Sequence, residues 1–144
     1  MERVRVELGA ASYDIIIGTG LASDAGTLIA AILGPSSDGR ACALVTNDRI
    51  GPLHAAGCMD ALRRAGFRPV LVSLPDGEEH KTLDTVKTIY ADMIKAGCDR
   101  KSFVAALGGG VVGDMAGFAA ATFMRGVDCF QLPTSLMAQV DSSI

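Results

Sequence analysis

Aromatic residues are scarce in this chain of 144 residues, which has no tryptophan, two tyrosines and five phenylalanines. So few rings argue against an aromatic-rich binding surface. Glycine is abundant instead, with 17 residues, and 49% of the chain is apolar. This composition is typical of one compact α/β domain with many tight turns. A chain of this length can bury a core without disulfides or structural metal ions.

An excess of charge of one sign is also missing. The 13 basic and 16 acidic residues are interspersed and give a formal net charge of −3. Proteins that bind nucleic acid usually carry a basic patch that contacts the phosphates. We therefore do not expect nucleic acid as the main partner. A small phosphorylated ligand, held by one or two cations, is compatible with this balance.

The four cysteines are widely spaced and form no C-x-x-C pair, so no zinc-ribbon or redox motif of that kind is present. We interpret Cys42, Cys58, Cys98 and Cys129 as small buried hydrophobic residues in a reducing cytoplasm. No apolar run approaches the ~20 residues of a membrane span. The N-terminal residues lack the pattern of a signal peptide. We therefore expect a cytoplasmic protein without a membrane partner.

Strand and helix patterns alternate along most of the chain. The predicted strands are 4–8, 13–17, 41–45, 69–74, 103–107 and 129–132. The predicted helices are 21–33, 52–65, 82–96, 111–124 and one from residue 134 onward. After an opening hairpin, such alternation implies parallel strands joined by right-handed crossovers. The predicted fold class is α/β: a Rossmann-like, doubly wound, mostly parallel sheet preceded by an N-terminal β-hairpin.

The strongest local motif is the glycine-rich segment Gly108-Gly109-Gly110-Val111-Val112-Gly113-Asp114, between a predicted strand and a predicted helix. Glycines let the backbone approach a pyrophosphate, and free N–H groups at a helix start point at the anion. However, the usual dinucleotide fingerprint lies in the first βα unit, and this motif does not. Two interpretations stay open: a pyrophosphate-binding turn, or a turn where helix and strand pack closely.

A charged segment, Asp76-Gly77-Glu78-Glu79-His80-Lys81, follows the strand predicted at 69–74. The preceding proline makes Pro-Asp-Gly, a tight-turn sequence. Doubly wound folds bind ligands at the carboxyl ends of strands. There Lys81 can contact a phosphate and Glu78 a ribose hydroxyl. The alternative is a solvated, charged helix start. No second histidine follows His80 at the spacing of a metal site.

Four further polar residues lie near predicted helix ends. Arg125 precedes Gly126 and is either a ligand-binding cation or a surface arginine favoured by the helix dipole. Thr134 and Ser135 place two hydroxyls at a helix entrance, where an N-cap alone would explain them. Asp141 adds a carboxylate seven residues after Thr134.

Taken in order, four segments resemble the 3-dehydroquinate synthase family of sugar-phosphate cyclases. They are 76–81, 107–114, 117–121 with Arg125-Gly126, and 132–136 with 139–143. The resemblance runs the length of the chain and is specific because all four segments occur in the family's order and spacing. It implies a Rossmann-like domain that holds NAD, a following helical domain that binds a divalent metal such as zinc or cobalt, and a homodimer when full length.

The resemblance also implies an activity. The reaction is that of a carbon–oxygen lyase of the shikimate pathway, which leads to chorismate and the aromatic amino acids. The implied substrate is 3-deoxy-D-arabino-heptulosonate 7-phosphate, and the products are 3-dehydroquinate and phosphate. A tightly held NAD would oxidise a substrate hydroxyl, phosphate would be eliminated, the ketone would be reduced back, and an aldol closure would form the ring.

Roles for individual residues follow from the same resemblance. The expected cofactor-binding residues are Asn47, Asp76, Gly77, Glu78, Glu79, His80, Lys81, Gly109, Gly110, Val111, Val112, Gly113, Asp114, Thr134 and Ser135. Within this set, Asn47 is expected at the adenosine ribose, Glu78 at a ribose, and Asp114 toward the nicotinamide ribose. Lys81 is expected near the phosphates or the nicotinamide end. The family more often has threonine at the position of Ser135.

The expected catalytic residues are Arg125, at the substrate phosphate across a dimer interface, and Asp141, at the substrate hydroxyls. We expect residues 1–144 to be the dinucleotide-binding domain alone, because the family's metal ligands follow beyond Ile144. We therefore expect a truncated chain with no metal ligands and no turnover by itself. Three alternatives stay open: another sugar-phosphate cyclase, an iron-dependent alcohol or glycerol dehydrogenase-like domain, and a dinucleotide-binding module without catalysis.

Overall fold

The computed structural model describes all 144 residues as a hairpin followed by a four-stranded sheet with helices on both faces. Strands β1 (Glu2–Val6) and β2 (Tyr13–Ile17) pair antiparallel in the hairpin. The sheet contains β3 (Ala41–Asn47), β4 (Arg68–Leu74), β5 (Phe103–Gly108) and β6 (Asp128–Pro133). The helices are α1 (Ala25–Leu33), α2 (Gly51–Arg64), α3 (Leu83–Lys95) and α4 (Gly110–Thr122). The predicted fold class is confirmed.

The order of the strands in the sheet is β4-β3-β5-β6, and all neighbours are parallel. The chain runs outward from β3 to β4, crosses back to β5 and continues to β6. The order therefore reverses between β3 and β5. In open α/β sheets, ligands bind outside the carboxyl ends of the strands at such a reversal. In this chain those ends are Asn47 and Gly108.

Two apolar layers cover the two faces of the sheet. Successive residues of β3 contribute to opposite layers. Ala43 and Val45 pack with α3 and α4, whereas Cys42 and Leu44 pack with α1 and α2. Because β3 and β5 are buried on both faces, their sequences are almost uniformly apolar rather than alternating. Strand β3 is longer than predicted because it also contains Thr46 and Asn47, which are polar but buried.

The prediction of four buried cysteines is correct for Cys42, Cys58 and Cys98 and wrong for Cys129, which is exposed near the start of the outer strand β6. Burial raises the pKa of the Cys42 thiol to about 12 and that of Cys58 to about 11. These two thiols therefore act as small core residues and not as nucleophiles.

Three helix boundaries differ from the predictions. Helix α1 begins at Ala25 because Leu21–Ser23 form a separate 3-10 turn. Helix α4 ends at Thr122 because Met124 and Arg125 adopt left-handed backbone angles, with φ of 50° and 72°. The last helix starts after Ser135 and is π-helical over Ala138–Ser142. None of the helices is both long and apolar enough to cross a membrane.

Helices α1 and α2 approach each other closely at Gly26. A Cβ atom added at Gly26 would lie 2.1 Å from the backbone oxygen of Ala61, which cannot move without the helix. Gly57 offers a matched contrast, because it is exposed within α2 and a Cβ there would have no neighbour within 4 Å. The contact between the two helices therefore requires glycine at residue 26 but not at residue 57.

We expect Gly26→Ala to lower the free energy of unfolding by about 2 kcal/mol, because the added methyl forces the helices apart. The control Gly57→Ala is expected to raise it by up to about 1 kcal/mol, since alanine favours a helix more than glycine does. Urea denaturation followed by circular dichroism measures both changes. Equal effects at the two positions would contradict the close contact.

Candidate functional site

The polar segments predicted to bind a cofactor lie together at the carboxyl edge of the sheet. The strands are parallel, so the segments that follow β3, β4, β5 and β6 all lie at this edge. They are Asn47, the segment 75–81, the glycine-rich turn at 108–110, and Thr134 with Ser135. The structure therefore brings together residues that are far apart in the sequence.

The glycine-rich turn combines close packing with an open helix start. A Cβ at Gly108 would lie 2.7 Å from the side chain of Val112, and one at Gly113 would lie 2.9 Å from Oε1 of Gln131. At Gly109 and Gly110 the nearest atoms would be serine hydroxyls, at 3.4 and 3.3 Å. Both interpretations of the motif therefore have a structural basis: Gly108 and Gly113 pack closely, whereas Gly109 and Gly110 are only half-buried and have serine hydroxyls as neighbours.

The backbone of the first turn of α4 is available to a ligand. Helix α4 starts at Gly110, and the N–H groups of a first helical turn have no partner within the helix. Val111 is half-buried and Val112 is buried, so their side chains belong to the core. What the two valines can offer at this edge is their N–H groups, which lie at the positive end of the helix dipole.

Lys81 is the cation beside this helix start. Its Nζ lies 2.8 Å from Oδ2 of Asp114 and 3.1 Å from Oε2 of Glu78. The hydrogen bond to Asp114, followed by the one to Glu78, raises the pKa of Lys81 above its ordinary value of 10.5. Asp114 follows Gly110 by about one helical turn, so the ammonium lies next to the first turn of α4.

Asp76 connects the turn after β3 with the turn after β4. Asn47 is buried, and its Nδ2 donates to Oδ1 of Asp76 at 2.7 Å while its Oδ1 accepts the N–H of Ile50 at 2.8 Å. The other oxygen of Asp76 lies 3.6 Å from a guanidinium nitrogen of Arg49. The backbone N–H of Asp76 donates to Oδ1 of Asp48 at 3.2 Å.

Sequence reasoning missed Asp48 and Arg49. The signal that could have revealed them is the polar run Asn47-Asp48-Arg49, which follows an apolar strand at the ligand-binding edge of the sheet.

The predicted cofactor-binding residues Gly77, Glu79 and His80 lie in and after the turn that follows β4. Nε2 of His80 and Oε1 of Glu79 are 3.8 Å apart there.

Two hydroxyls follow β6 next to the glycine-rich turn. The N–H of Thr134 donates to the oxygen of Gly108 at 2.9 Å, but the hydroxyl oxygen of Thr134 is buried and has no hydrogen-bond partner in the chain. Ser135 accepts the N–H of Ala138 at 3.3 Å, as an N-cap does. A buried hydroxyl without a partner is costly, so Thr134 favours a hydrogen-bonding ligand at this position.

The two predicted catalytic residues lie at different edges of the sheet. Asp141 is exposed in the helix after β6, next to Ser142, whose hydroxyl is near Gly110. Arg125 follows α4, whose 13 residues run from the carboxyl edge to the amino edge over about 20 Å. The structure therefore brings Asp141 to the carboxyl edge of the sheet, where the predicted cofactor-binding residues lie, and keeps Arg125 away from it.

No group of three or more His, Cys, Asp or Glu side chains is arranged to hold a metal ion.

Solved structures show which proteins share this fold. A 2-deoxy-scyllo-inosose synthase complexed with carbaglucose-6-phosphate, NAD+ and Co2+ matches with a TM-score of 0.85 and 20% identity over 98% of this chain and 37% of that one. A 2-epi-5-epi-valiolone synthase from Streptomyces hygroscopicus, with NAD+ and Zn2+ bound, matches with a TM-score of 0.76 and 23% identity over 96% of this chain and 37% of that one. The chain therefore has the Rossmann-like fold of these two synthases.

The sequence narrows this class to one family. The family model described as 3-dehydroquinate synthase N-terminal matches residues 71–144, just over half of the chain. Curated proteins named 3-dehydroquinate synthase are 50% identical in Geobacter metallireducens and 48% identical in Pelotomaculum thermopropionicum, over all of this chain and 39% and 38% of theirs. The chain belongs to the 3-dehydroquinate synthase family, as predicted, and spans about two fifths of the length of these relatives.

The pairing of Lys81 with Asp114 predicts a pH dependence. The folded-state pKa of Lys81 lies above 10.5, so the ion pair stabilises the folded chain at pH values below about 10.5, and that stabilisation is lost as the pH rises through the folded-state pKa. In a ¹³C titration of the lysine Cε atoms, Asp114→Asn should lower the midpoint of Lys81. An unchanged midpoint would show that the two side chains do not interact.

Proposed function

We propose that this chain is the NAD-binding domain of a 3-dehydroquinate synthase. The complete enzyme would convert 3-deoxy-D-arabino-heptulosonate 7-phosphate to 3-dehydroquinate and phosphate in the shikimate pathway. The observation that carries this proposal is the 50% identity over 144 residues to a curated 3-dehydroquinate synthase. The cyclases that act on other sugars are similar in fold but only 20–23% identical, so they support the fold and not their own substrates.

The residues of the carboxyl edge fit a dinucleotide. Gly109 and Gly110 are half-buried where α4 starts and leave little room for a Cβ beside the serine hydroxyls, and Lys81 adds a positive charge nearby. The hydroxyl of Thr134 lacks a partner within the chain. These features support a pyrophosphate at the glycine-rich turn with the two riboses on either side of it. When bound, NAD would accept a hydride from a substrate hydroxyl and later return it.

The remaining predicted contacts fall on the two sides of this turn. On the β4 side, Asp76 and Glu78 are the carboxylates we assign to the adenosine half, with Gly77, Glu79 and His80 in the same segment. We assign the nicotinamide half to Asp114, in the first turns of α4, and to Thr134 and Ser135 on the β6 side. The amide of Asn47 is bonded to Asp76 and Ile50, so a direct contact with the ribose would require it to give up one of these partners.

Lys81 can bind a phosphate without losing its carboxylate partners. A lysine ammonium has three N–H donors. Two of them are directed at Asp114 and Glu78, at 2.8 and 3.1 Å, and one is left for a phosphate oxygen. The two carboxylates keep the ammonium charged and restrict its position. Their role is therefore to orient Lys81 before the cofactor arrives, which lowers the entropy lost on binding.

The position of Arg125 supports a homodimer in the complete protein. Arg125 is at the amino edge of the sheet, about one helix length from the glycine-rich turn. A role at the substrate phosphate is therefore a role in the active site of a second copy. Asp141 is at the carboxyl edge and would serve the substrate hydroxyls of its own chain. We also propose a cytoplasmic location, which the four free cysteines support.

The divalent metal belongs to the proposal for the complete enzyme, with zinc or cobalt as the expected ion. The residues of this chain do not fit a metal ion, because no three His, Cys, Asp or Glu side chains are grouped to hold one. We therefore assign no metal ligand within residues 1–144.

Calorimetric titration with NAD tests the binding site. We expect Lys81→Ala and Asp114→Ala each to weaken NAD binding by about tenfold or more, because a charge-assisted contact or its orienting partner is lost. Lys87→Ala is the matched control, since Lys87 pairs with Asp84 on the exposed surface of α3. Equal affinities for the three variants and the unchanged chain would contradict the assignment of Lys81.

A phosphate-release assay tests the extent of the catalytic unit. We expect the purified 144-residue chain to release no phosphate from 3-deoxy-D-arabino-heptulosonate 7-phosphate, even with NAD and Zn2+ added, because it spans 39% of a curated relative. The full-length Geobacter metallireducens enzyme is the positive control for the assay. Turnover by the 144-residue chain would overturn this expectation.

A further inference from the structure

We propose that Asp76 makes this site select NAD over NADP. Asn47 is a positioning residue for Asp76, and the ion pair with Asp76 keeps the charge of Arg49 from binding a phosphate. The inference rests on the proposed function and concerns the adenosine ribose. It assigns roles to three side chains that meet where β3 and β4 end.

The topology brings Asp76 within reach of the adenosine ribose. Strand β3 lies between β4 and β5, so the ends of β4 and β5 are about 10 Å apart. If a pyrophosphate binds at the glycine-rich turn after β5, the adenosine ribose attached to it can therefore reach the end of β4. Asp76 is the second residue after β4 and lies on the β3 side, where it meets Asn47.

The amide of Asn47 is fully engaged within the chain. Asn47 is 5% exposed, its Oδ1 accepts the N–H of Ile50, and its Nδ2 donates to Asp76. An amide bonded in this way orients the carboxylate next to it. The side chain that faces the ligand-binding edge is therefore that of Asp76, which is 42% exposed.

The charge on Asp76 distinguishes the two nucleotides. A carboxylate accepts hydrogen bonds from the hydroxyls of an unmodified ribose. It repels the 2′-phosphate of NADP, a group with about 1.5 to 2 negative charges at neutral pH. In dinucleotide-binding folds, an acid at the ribose hydroxyl accompanies NAD, and a nearby arginine accommodates the 2′-phosphate.

This chain contains both of those groups in one cluster. Arg49 is 79% exposed, and its guanidinium lies 3.6 Å from the carboxylate of Asp76. With Asp76 ionised, the arginine is partly neutralised and a 2′-phosphate meets an anion. Without that charge, Arg49 would be free to pair with the phosphate. The charge of Asp76 therefore opposes a 2′-phosphate in two ways, by direct repulsion and by pairing with Arg49.

The test compares the Kd values of NAD and NADP by calorimetry for the 144-residue chain and its Asp76→Asn variant. We expect the unchanged chain to prefer NAD by about tenfold or more, as for other close charge pairs in binding sites. Asp76→Asn should abolish or reverse this preference, by weakening NAD and tightening NADP. Asp60→Asn is the matched control: it removes the same charge from α2, where Asp60 pairs with Arg63.

Two further variants separate positioning from simple stabilisation. As a single change, Asn47→Ala should lower the ratio of the NADP Kd to the NAD Kd. Added to Asp76→Asn, it should leave that ratio unaltered, because Asn47 acts through the carboxylate of Asp76. Arg49→Met, added to Asp76→Asn, should remove the gain in NADP affinity. A loss of stability alone would change both nucleotides equally and leave the ratio unchanged.

The outcomes distinguish this inference from the function on which it rests. If NAD binds and Asp76→Asn leaves the ratio of the two Kd values unchanged, the selectivity proposal is wrong and the NAD-binding proposal stands. If the ratio changes equally in Asp60→Asn, net charge and not the position of Asp76 is responsible, and the proposal fails. If neither nucleotide binds to the chain, the proposed function and this inference are overturned together.

Discussion

The parallel pairing of β3 with β5 is the constraint on which the candidate site depends. It sets Val45 beside Ala106 and brings the end of β3 beside the glycine-rich turn after β5. Since each flanking strand is parallel to its neighbour, β4 and β6 must end at the same edge. A different register or direction for either central strand would disperse the polar segments. The apolar layers on both faces hold this pairing in place.

The division of the sheet into two chemically different edges follows from the same constraint. Every helix that returns from the carboxyl edge ends at the amino edge, so residues at opposite ends of one helix cannot serve the same ligand. Asp114 and Arg125 illustrate this, because both are close to α4 in sequence but lie at its opposite ends. Their predicted roles differ accordingly: one belongs to the cofactor of its own chain and the other to a neighbouring copy.

The sequence predicts the fold and the location of the site better than it predicts contacts within the site. Continuous apolar runs identify β3 and β5. The apolar pattern of β3 ends at Val45, because polarity normally marks the end of a strand, whereas the strand itself continues through the buried Thr46 and Asn47. The glycine-rich and acidic segments are recognisable because their composition is unusual. The pairing of Lys81 with Asp114, and of Asn47 with Asp76, joins different elements and depends on the strand order. Local patterns carry no information on such pairs.

The left-handed backbone at Met124 and Arg125 has a consequence for the evolution and engineering of this family member. Residues other than glycine adopt this conformation at a cost of about 1 kcal/mol or more, and such strain persists mainly where function requires the side chain. A selection for thermal tolerance alone would therefore favour glycine at these two positions. It would discard the arginine on which a second subunit is proposed to rely, so the most heat-resistant domain would be a poor partner in the assembled enzyme.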